Sequence, residues 1–485
     1  MGSSFHVENF GCRAARADGE AIADRLRAAG CCESQPTLAD VVIVNTCSVT
    51  AEADREARAY IRRARRLNPD ARILATGCYA QRAPQELAAL PGVAAVIGNS
   101  HKAFAPEIAL SLLETSTGRP PESPRQPINE LVQIQMAQAG VTSSQVVLAD
   151  DRFAHSFLEE AALIPGAQTR PNLKIQEGCG NRCTFCVIPQ TRGPSRSLPA
   201  ATILRQVQGF VAAGGKELVL SGINLGRWGR DLAPSAALPR PTLPNLVRAI
   251  FEQSRLPRLR LSSIEPMDWD ADLIALMAEF GGVRLARHAH LPLQSGSDAV
   301  LRRMHRRYRP WHYAEKVNAL FRAAGPDITL GADVMAGFPG ETDREFEETI
   351  NMIRALPFGY LHLFPFSPRP GTRAWALHEQ MPVPHAVVEE RMTALRTLAA
   401  EKSETHRRRF LGRDLDAITL HTPLAQADLG RGSALTENFL PVELATRLPA
   451  NQIVRVHVTG LTPGGSLVAA PAARNLAFQP LHAVV

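Results

Sequence analysis

The chain opens with short apolar runs that alternate with longer amphipathic stretches. The runs occupy residues 5–10, 41–44 and 72–75, and helical periodicity follows each of them at residues 18–29, 51–67 and 81–90. Apolar runs of this length are typical of buried parallel strands, and the longer periodic stretches are typical of the helices that cover them. We therefore predict an α/β fold that begins with a Rossmann-like parallel sheet domain over residues 1–119.

The strand-then-helix pattern returns in the middle of the chain. Six apolar runs, each followed by a helical stretch, lie at residues 173–176, 217–221, 258–263, 289–293, 328–335 and 360–366. Strands that alternate regularly with helices predict a parallel sheet closed wholly or partly into a barrel. We predict a partial (β/α)6 barrel over residues 171–410, ending in a helix at residues 384–409.

Two further regions differ in pattern. Residues 120–170 have no steady period apart from a helix predicted at 153–163, and Pro, Ser, Thr and Gly are frequent at 115–127, so we interpret this region as a linker. Residues 411–485 contain short alternating runs at 416–420, 439–444, 453–459 and 466–470, separated by Gly, Pro and Asn. Such spacing predicts a small antiparallel β-barrel, which we expect to contact RNA; a barrel that only braces a neighbouring domain is the alternative.

Composition adds limits on the class of protein. The chain has 485 residues, of which 45% are hydrophobic and 21% charged, and these values are typical of a globular protein of two or three domains. No apolar run is long enough to cross a bilayer, and the first residues lack the pattern of a signal peptide, so we predict a cytoplasmic protein without a membrane partner. The net charge of +7 favours a polyanionic partner. Arginine clusters at residues 62–66, 302–309 and 406–409 are either solvated helix faces or parts of a nucleic-acid surface.

Three cysteines lie together after the first predicted barrel strand. Cys179, Cys183 and Cys186 offer three thiolates on one short loop, which suits an iron–sulfur cluster with one iron left without a protein ligand. Structural zinc is the alternative, but it normally has four protein ligands, and no second cysteine pair follows. A disulfide is less expected in the reducing cytosol. Barrel active sites collect at the carboxyl ends of the strands, where this loop is predicted to lie.

A second set of cysteines belongs to the predicted amino-terminal sheet. Cys12, Cys47 and Cys78 each follow one of its strands. Loops at the carboxyl ends of parallel strands converge, so three strands could bring these three thiolates to one point. Cys31 and Cys32 follow a helix and are predicted to lie at the opposite edge as ordinary cysteines.

Several segments resemble known families. The spacing of Cys179, Cys183 and Cys186, with Phe185 before the last, resembles the radical S-adenosylmethionine signature. The segment Gly214, Gly215, Lys216, Glu217 resembles the glycine-rich segment of that family that contacts the methionine amino group; a helix stop before a strand is the alternative. Further segments resemble motifs of the methylthiotransferases within that family, and they occur in the same order. These segments are residues 11–12, 45–50, 76–81, 218–224, 262–266, 291–297, 331–342 and 366–372.

This resemblance implies two 4Fe–4S clusters and S-adenosylmethionine as cofactors. It implies that Cys179, Cys183 and Cys186 hold the cluster that binds and cleaves S-adenosylmethionine, and that Cys12, Cys47 and Cys78 hold a second cluster that carries the sulfur to be inserted. One departure is Ala15, at a position where family members usually have asparagine, which places a hydrogen bond near the second cluster in doubt.

Other polar residues are weaker candidates, and we assign no catalytic residue. Glu265, Gln294, Ser295 and Asp333 lie at predicted barrel strand ends, where they would contact the cofactor or substrate; a hydrogen-bond network at the barrel mouth is the alternative. Arg369 would either position a carboxylate or phosphate or brace a turn.

The substrate is suggested by two segments. Residues 435–442, and residues 222–226 before Trp228, resemble the branch of the family that acts on N6-threonylcarbamoyladenosine in tRNA. The implied reaction replaces hydrogen at carbon 2 of adenosine 37 by a methylthio group. The implied partners are the tRNA anticodon stem-loop, an electron donor of the flavodoxin or ferredoxin type, and a sulfur donor. The alternatives are the enzymes for isopentenyladenosine in tRNA or for a ribosomal-protein aspartate, and a non-enzymatic iron–sulfur scaffold.

Overall fold

The computed structural model describes residues 3–117, 146–153, 163, 170–236 and 238–472. The predicted linker and its predicted helix therefore lie mostly outside the described residues. The chain divides into two compact units. The amino-terminal unit comprises Met1–Ala162, Gln176–Ser197 and Ser367–Ala376, and the barrel unit comprises Leu163–Ile175, Leu198–Phe366 and Leu377–Val485. The loop that carries Cys179, Cys183 and Cys186 thus belongs to the same unit as Cys12, Cys47 and Cys78.

A six-stranded parallel sheet forms the centre of the amino-terminal unit, with strand order β2-β1-β3-β4-β5-β6. The strands are β1 (Ser4–Asn9), β2 (Cys32–Glu33), β3 (Val41–Thr46), β4 (Arg72–Gly77), β5 (Val93–Gly98) and β6 (Val146–Leu148). Alternate residues of β3 pack into different cores: Val41 and Ile43 face one, and Val42 and Val44 face the other. Both faces of the sheet are therefore covered, which explains why this strand is a continuous apolar run.

Helices cover this sheet. They are α1 (Arg13–Ala28), α2 (Ala51–Leu67), α3 (Cys78–Arg82), α4 (Pro84–Ala88) and α5 (Ala105–Thr117), and α6 (Ile188–Arg192) packs on α3. The bounds of α2 agree with the predicted ones because Thr50 accepts a hydrogen bond from the main-chain N–H of Ala53 and so caps the helix. Strand β7 (Asn172–Glu177) begins in the barrel unit, and its last two residues pair antiparallel with β8 (Arg196–Ser197) in the amino-terminal unit.

The barrel unit contains the predicted partial barrel. Its further strands are β9 (Glu217–Gly222), β10 (Arg258–Leu261), β11 (His288–His290), β12 (Thr329–Ala336) and β13 (Phe358–Pro365). The neighbour orders are β10-β9-β7 and β11-β12-β13. The helices are α7 (Ala200–Ala212), α8 (Leu243–Gln253), α9 (Ala271–Phe280), α10 (Asp298–Arg303), α11 (Pro310–Ala324), α12 (Asp343–Ala355), the end of α13 (Arg373–Gln380) and α14 (His385–Arg408). The residues of α13 up to Ala376 belong to the amino-terminal unit. The predicted α/β fold class is confirmed.

A closed five-stranded barrel follows α14, with neighbour order β14-β15-β16-β18-β17. Its elements are β14 (Asp414–Leu420), α15 (Leu424–Ala427), β15 (Gly432–Thr436), β16 (Pro441–Leu444), β17 (Ile453–Leu461) and β18 (Leu467–Pro471). Val454, Val456 and Val458 alternate into its core. The pattern did not predict β15, and one pair, β16 with β18, is parallel rather than antiparallel.

The turn between β15 and β16 packs on the base of β11. Glu437 accepts hydrogen bonds from the main-chain N–H and the Nε of Arg287, at 2.9 and 2.7 Å. The Phe439 ring stacks on His288 with 4.2 Å between ring centroids. Residues 435–442, which suggested the tRNA branch of the family, thus fix the small barrel to the larger one. None of the described helices combines the length and the apolar character needed to cross a bilayer.

Candidate metal centres and cofactor site

The three amino-terminal cysteines follow three neighbouring strands. Cys12 comes after β1, Cys47 after β3 and Cys78 after β4, and these strands are adjacent in the order β1-β3-β4. Two glycines allow the close approach of the loops. A Cβ on Gly11 would lie 2.7 Å from the Sγ of Cys47, and a Cβ on Gly77 would lie 2.3 Å from the carbonyl oxygen of Thr46. Both glycines have φ of +98°, which other residues rarely adopt.

The electrostatics of this cysteine set suit a metal cluster. Cys47 and Cys78 are buried and Cys12 is exposed. Burial and the neighbouring thiols of Cys78 and Cys12 raise the pKa of Cys47 to about 12. Three cysteines that follow adjacent strands are a donor set for iron, which binds thiolates and would stabilise the ionised form of Cys47. The residues present therefore fit a cluster with three cysteine ligands.

The second cysteine set is held by a short loop between β7 and α6. The main-chain N–H of Cys179 donates to the carbonyl of Gly193 at 3.1 Å, and that of Cys186 donates to Cys183 at 3.2 Å. All three thiols are partly exposed. They line a cavity of about 330 Å³ together with other residues of the same unit, including Asn181, Gln190, Thr372 and Arg373. A cavity of this size beside three thiols fits a cluster and part of a small cofactor.

Arg369 braces the loop that carries Cys47. Its buried guanidinium donates to the carbonyl of Ser48 at 2.6 and 3.1 Å and to the carbonyl of Thr50 at 2.8 Å. It also forms an ion pair with Asp54 at 2.9 Å, and Asp54 pairs with Arg82 at 2.8 Å as well. Of the two roles predicted for Arg369, the structure supports the brace.

Ala15 is buried on α1, next to the same cysteine set. Its carbonyl oxygen accepts a hydrogen bond from the Nδ2 of Asn45, which also donates to Asn9 at 3.0 Å. Asn45 lies two residues before Cys47. An asparagine amide is therefore present at this loop even though position 15 lacks one.

The glycine-rich segment at 214–217 lies at the wrong end of its strand for a cofactor contact. Gly214 has φ of +89° and, with Gly215, closes α7 through hydrogen bonds to Val211 and Phe210. A Cβ on Gly215 would lie 2.2 Å from the Phe210 ring. These features are those of a helix stop. The segment also precedes β9, whereas the active sites of such barrels lie after the strands.

Glu217 belongs to a buried ion cluster at that same end. It accepts from Arg260 at 2.9 Å and from Arg258 at 3.4 Å, and its side chain is fully buried. Although burial acts to raise it, the guanidinium groups of Arg260, Arg258 and Arg170 hold the pKa of Glu217 below its usual value. These contacts favour a structural role for Gly214, Gly215 and Glu217 over the predicted cofactor role.

The other predicted cofactor residues lie in the upper half of the barrel. Glu265 follows β10 and forms an ion pair with Arg306 at 2.7 Å. Gln294 has φ of 64° and is tied to β12, because its N–H donates to the carbonyl of Asp333 at 2.7 Å. Ser295 is fully buried and contacts Thr349 at 3.1 Å. Strained backbone of the Gln294 kind is frequent at functional sites, whereas Ser295 stabilises its own loop.

Asp333 is the centre of a cluster that the sequence did not reveal. His290 Nε2 and His362 Nδ1 lie 3.3 and 3.4 Å from its Oδ1, on the two strands that flank β12. Although burial acts to raise it, contacts with His290 and His362 hold the pKa of Asp333 below its usual value. The second nitrogen of His290 is tied to Ser263 at 2.9 Å. One carboxylate between two imidazoles can bind a polar substrate group or a divalent cation.

The arginine clusters have different environments. At 302–309, ion pairs link Arg302 and Arg309 to Asp298, Arg303 to Glu345, and Arg306 to Glu265. On α2, in contrast, Arg62, Arg63 and Arg66 are exposed. The helix α2 is therefore the better candidate for a nucleic-acid surface. Cys32 pairs with Ser4 at the start of β1, whereas Cys12 follows the end of that strand.

Models of two protein families match the chain. The uncharacterized protein family UPF0004 matches residues 4–98, and the radical SAM superfamily matches residues 173–353. A solved radical S-adenosylmethionine methyltransferase, TsrM from Kitasatospora setae, is 16% identical with a TM-score of 0.50 over 75% of this chain and 73% of that one, a likeness of fold. The fold and the loop of Cys179, Cys183 and Cys186 define a radical S-adenosylmethionine enzyme, with iron–sulfur and S-adenosylmethionine cofactors.

Similarity to curated relatives indicates which family of radical S-adenosylmethionine enzymes the chain belongs to. Threonylcarbamoyladenosine tRNA methylthiotransferase MtaB of Bacillus subtilis (strain 168) is 34% identical over 94% of this chain and 93% of its own length. The tRNA-2-methylthio-N(6)-dimethylallyladenosine synthase of Thermobifida fusca (strain YX) is 31% identical over 98% of this chain and 90% of its own length. The chain belongs to the radical S-adenosylmethionine methylthiotransferase family.

Proposed function

We propose that this protein adds a methylthio group to carbon 2 of N6-threonylcarbamoyladenosine at position 37 of tRNA. The observation that carries the proposal is the presence of both three-cysteine sets in one compact unit, each at the end of a strand or on a loop suited to a cluster. Five relatives bearing the threonylcarbamoyladenosine name are 30–34% identical over 84–94% of the chain, which supports this substrate.

We assign Cys179, Cys183 and Cys186 to the cluster that binds S-adenosylmethionine, and Cys12, Cys47 and Cys78 to the second cluster. When bound, these groups supply the radical, the sulfur and the methyl group of the reaction. The chain's own residues hold and shield them. Arg369 fixes the loop of Cys47, and the side chains of Gln190 and Thr372 line the cavity beside Cys186.

The base must leave its stack to expose carbon 2, and the protein must hold the anticodon stem-loop while it does so. The exposed arginines of α2 support phosphate contacts, and we assign a second RNA contact to the small β-barrel. Because its substrate is tRNA, we place the protein in the cytoplasm, where an electron donor of the flavodoxin or ferredoxin type and a sulfur donor would serve it.

Mass spectrometry of tRNA nucleosides from a strain lacking this chain tests the substrate. The proposal predicts loss of 2-methylthio-threonylcarbamoyladenosine and its return when the chain is supplied again. Loss of the isopentenyl analogue alone would favour the second candidate function, which the similarity to the dimethylallyladenosine synthase of Thermobifida fusca supports.

A further inference from the structure

A buried quartet of charges joins the two cysteine loops within the amino-terminal unit. Arg192, at the end of α6, is fully buried, and its Nη1 contacts Glu177 at 2.5 Å and Asp18 at 3.1 Å. Lys102 contacts the same two carboxylates, at 3.1 Å for Asp18. Glu177 lies two residues before Cys179, and Asp18 lies on α1 six residues after Cys12. The two positive and two negative charges therefore compensate one another and hold the loops together.

Only part of the Arg192 guanidinium is used by this quartet. Its Nε and Nη2 atoms are buried, and neither has a hydrogen-bond partner among the described residues. Burying such donors without an acceptor destabilises the fold, and does so more strongly for a charged group. The carboxylates are all on the Nη1 side, so these donors need an acceptor of another kind.

The surroundings of Arg192 indicate that acceptor. Asn99 links the segment before Arg192 to the amino-terminal cysteines. The Nδ2 of Asn99 donates to the carbonyl of Thr191 at 2.8 Å and lies 3.4 Å from the Sγ of Cys78. Burial acts to lower the pKa of Arg192, but Cys78, with Glu177, Asp18 and Cys12, raises it well above the usual value. Asn99 thus places the segment that ends at Arg192 beside the Cys78 thiol of the amino-terminal set.

We propose that Arg192 is a positioning residue for the amino-terminal cluster, whose sulfur atoms accept hydrogen bonds from its Nε and Nη2 while its Nη1 stays bound to Asp18 and Glu177. The inference rests on that part of the proposed function in which Cys12, Cys47 and Cys78 hold a 4Fe–4S cluster. Hydrogen bonds to cluster sulfur stabilise the more negative, reduced state and so raise the reduction potential. Arg192 thereby links the reduction potential of the amino-terminal cluster to the conformation of the loop that carries Cys179, Cys183 and Cys186.

The test is a redox titration of the reconstituted full-length protein, followed by electron paramagnetic resonance. The two clusters are distinguished because S-adenosylmethionine changes the signal of the cluster to which it binds. Arg192→Gln removes the charge and the donors. Arg192→Lys keeps a charge for Asp18 and Glu177 but lacks the planar set of donors. Arg55→Gln on α2 is the matched control, since 73% of that side chain is exposed.

In Arg192→Gln, we expect the ratio of reduced to oxidised amino-terminal cluster at a fixed potential to fall at least tenfold, which is ~59 mV for one electron. Arg192→Lys should shift the same way by less, with full iron content, and the cluster that binds S-adenosylmethionine should keep its potential. An unchanged amino-terminal potential in iron-loaded Arg192→Lys overturns the inference whether or not Arg192→Gln folds. An equal shift of both clusters overturns it as well.

This readout is independent of tRNA. If the potential shifts but no methylthio nucleoside depends on the chain, the proposed function fails and the inference stands. If the nucleoside depends on the chain but the potential does not respond to Arg192, the inference alone fails.

Discussion

Arg369→Ala should loosen the loop that follows Cys47. The substitution leaves the carbonyls of Ser48 and Thr50 without their buried donor and removes one of the two cations that contact Asp54. Removing one partner of a buried ion pair typically costs about 3–5 kcal/mol. Because Asp54 keeps Arg82 at 2.8 Å and the Ser48 hydroxyl at 2.9 Å, we expect the lower end, about 3 kcal/mol.

Hydrogen exchange with mass spectrometry measures this cost locally, because exchange reports the free energy of opening of each segment. A loss of about 3 kcal/mol corresponds to exchange roughly 100-fold faster. We expect this acceleration in peptides covering residues 45–60 and little change in the barrel unit. Arg55→Ala, in the same unit but exposed, should change exchange by less than about threefold, since surface ion pairs contribute little.

Exchange at residues 45–60 that is unchanged in Arg369→Ala would refute the bracing role. It would also revive the alternative in which Arg369 binds a carboxylate or phosphate. In that case the variant should lose affinity for a ligand without losing protection. Asp54→Asn in the Arg369→Ala background completes a double-mutant cycle, and a coupling energy near zero would likewise contradict the brace.

Three other predictions concern separate parts of the chain. Because the Glu217 carboxylate lies in a buried ion cluster, Glu217→Gln should lower the free energy of unfolding of the barrel unit by about 3 kcal/mol, measured by urea unfolding. The affinity for S-adenosylmethionine, measured by equilibrium dialysis, should be unchanged. Burial, together with neighbouring arginines, lowers the pKa of His406 to about 4. As the pH falls, the imidazole is protonated in the unfolded chain before it is protonated in the folded one, so the free energy of unfolding is greatest above pH ~6.5 and falls toward pH 4. In urea unfolding, His406→Gln should make this pH-dependent decrease smaller by about 3 kcal/mol. Arg62→Gln with Arg66→Gln should weaken tRNA binding and flatten its salt dependence in filter-binding assays, and an unchanged salt slope would exclude α2 as a phosphate contact.

The arrangement of the amino-terminal cysteines was predictable because it follows from local pattern and topology. Short apolar runs placed Cys12, Cys47 and Cys78 after strands, and parallel strands end at a common edge. The bounds of α2 were predictable for a similar reason: its apolar period starts directly after the capping residue Thr50. In both cases, the information lies within a few residues of the feature.

The glycine segment shows where local pattern is ambiguous. In sequence, two glycines before a strand favour a cofactor loop, because a helix stop needs only one glycine. In the structure, the Phe210 ring packs where a side chain on Gly215 would lie, and this contact favours the helix stop. The contact depends on the folded helix and could not be read from the sequence. The position of the segment before β9 rather than after it supports the same conclusion.

The buried arginines could not be paired from the sequence. Arg369 and Ser48 are separated by 321 positions, and Arg192 and Asp18 by 174. No period or motif relates residues so far apart, and the two carboxylates that contact Arg192 come from α1 and β7. The cluster of His290, Asp333 and His362 is similar, because its members come from three strands that only the sheet brings together.

Methylthio transfer to N6-threonylcarbamoyladenosine can be measured with purified, reconstituted protein, a reductant, S-adenosylmethionine with a deuterated methyl group, and tRNA bearing that nucleoside. We expect a nucleoside in which one hydrogen is replaced by a methylthio group carrying the deuterium label, and no product when Cys47 or Cys183 is changed to alanine. A labelled product formed from isopentenyladenosine tRNA but not from threonylcarbamoyladenosine tRNA would contradict this expectation.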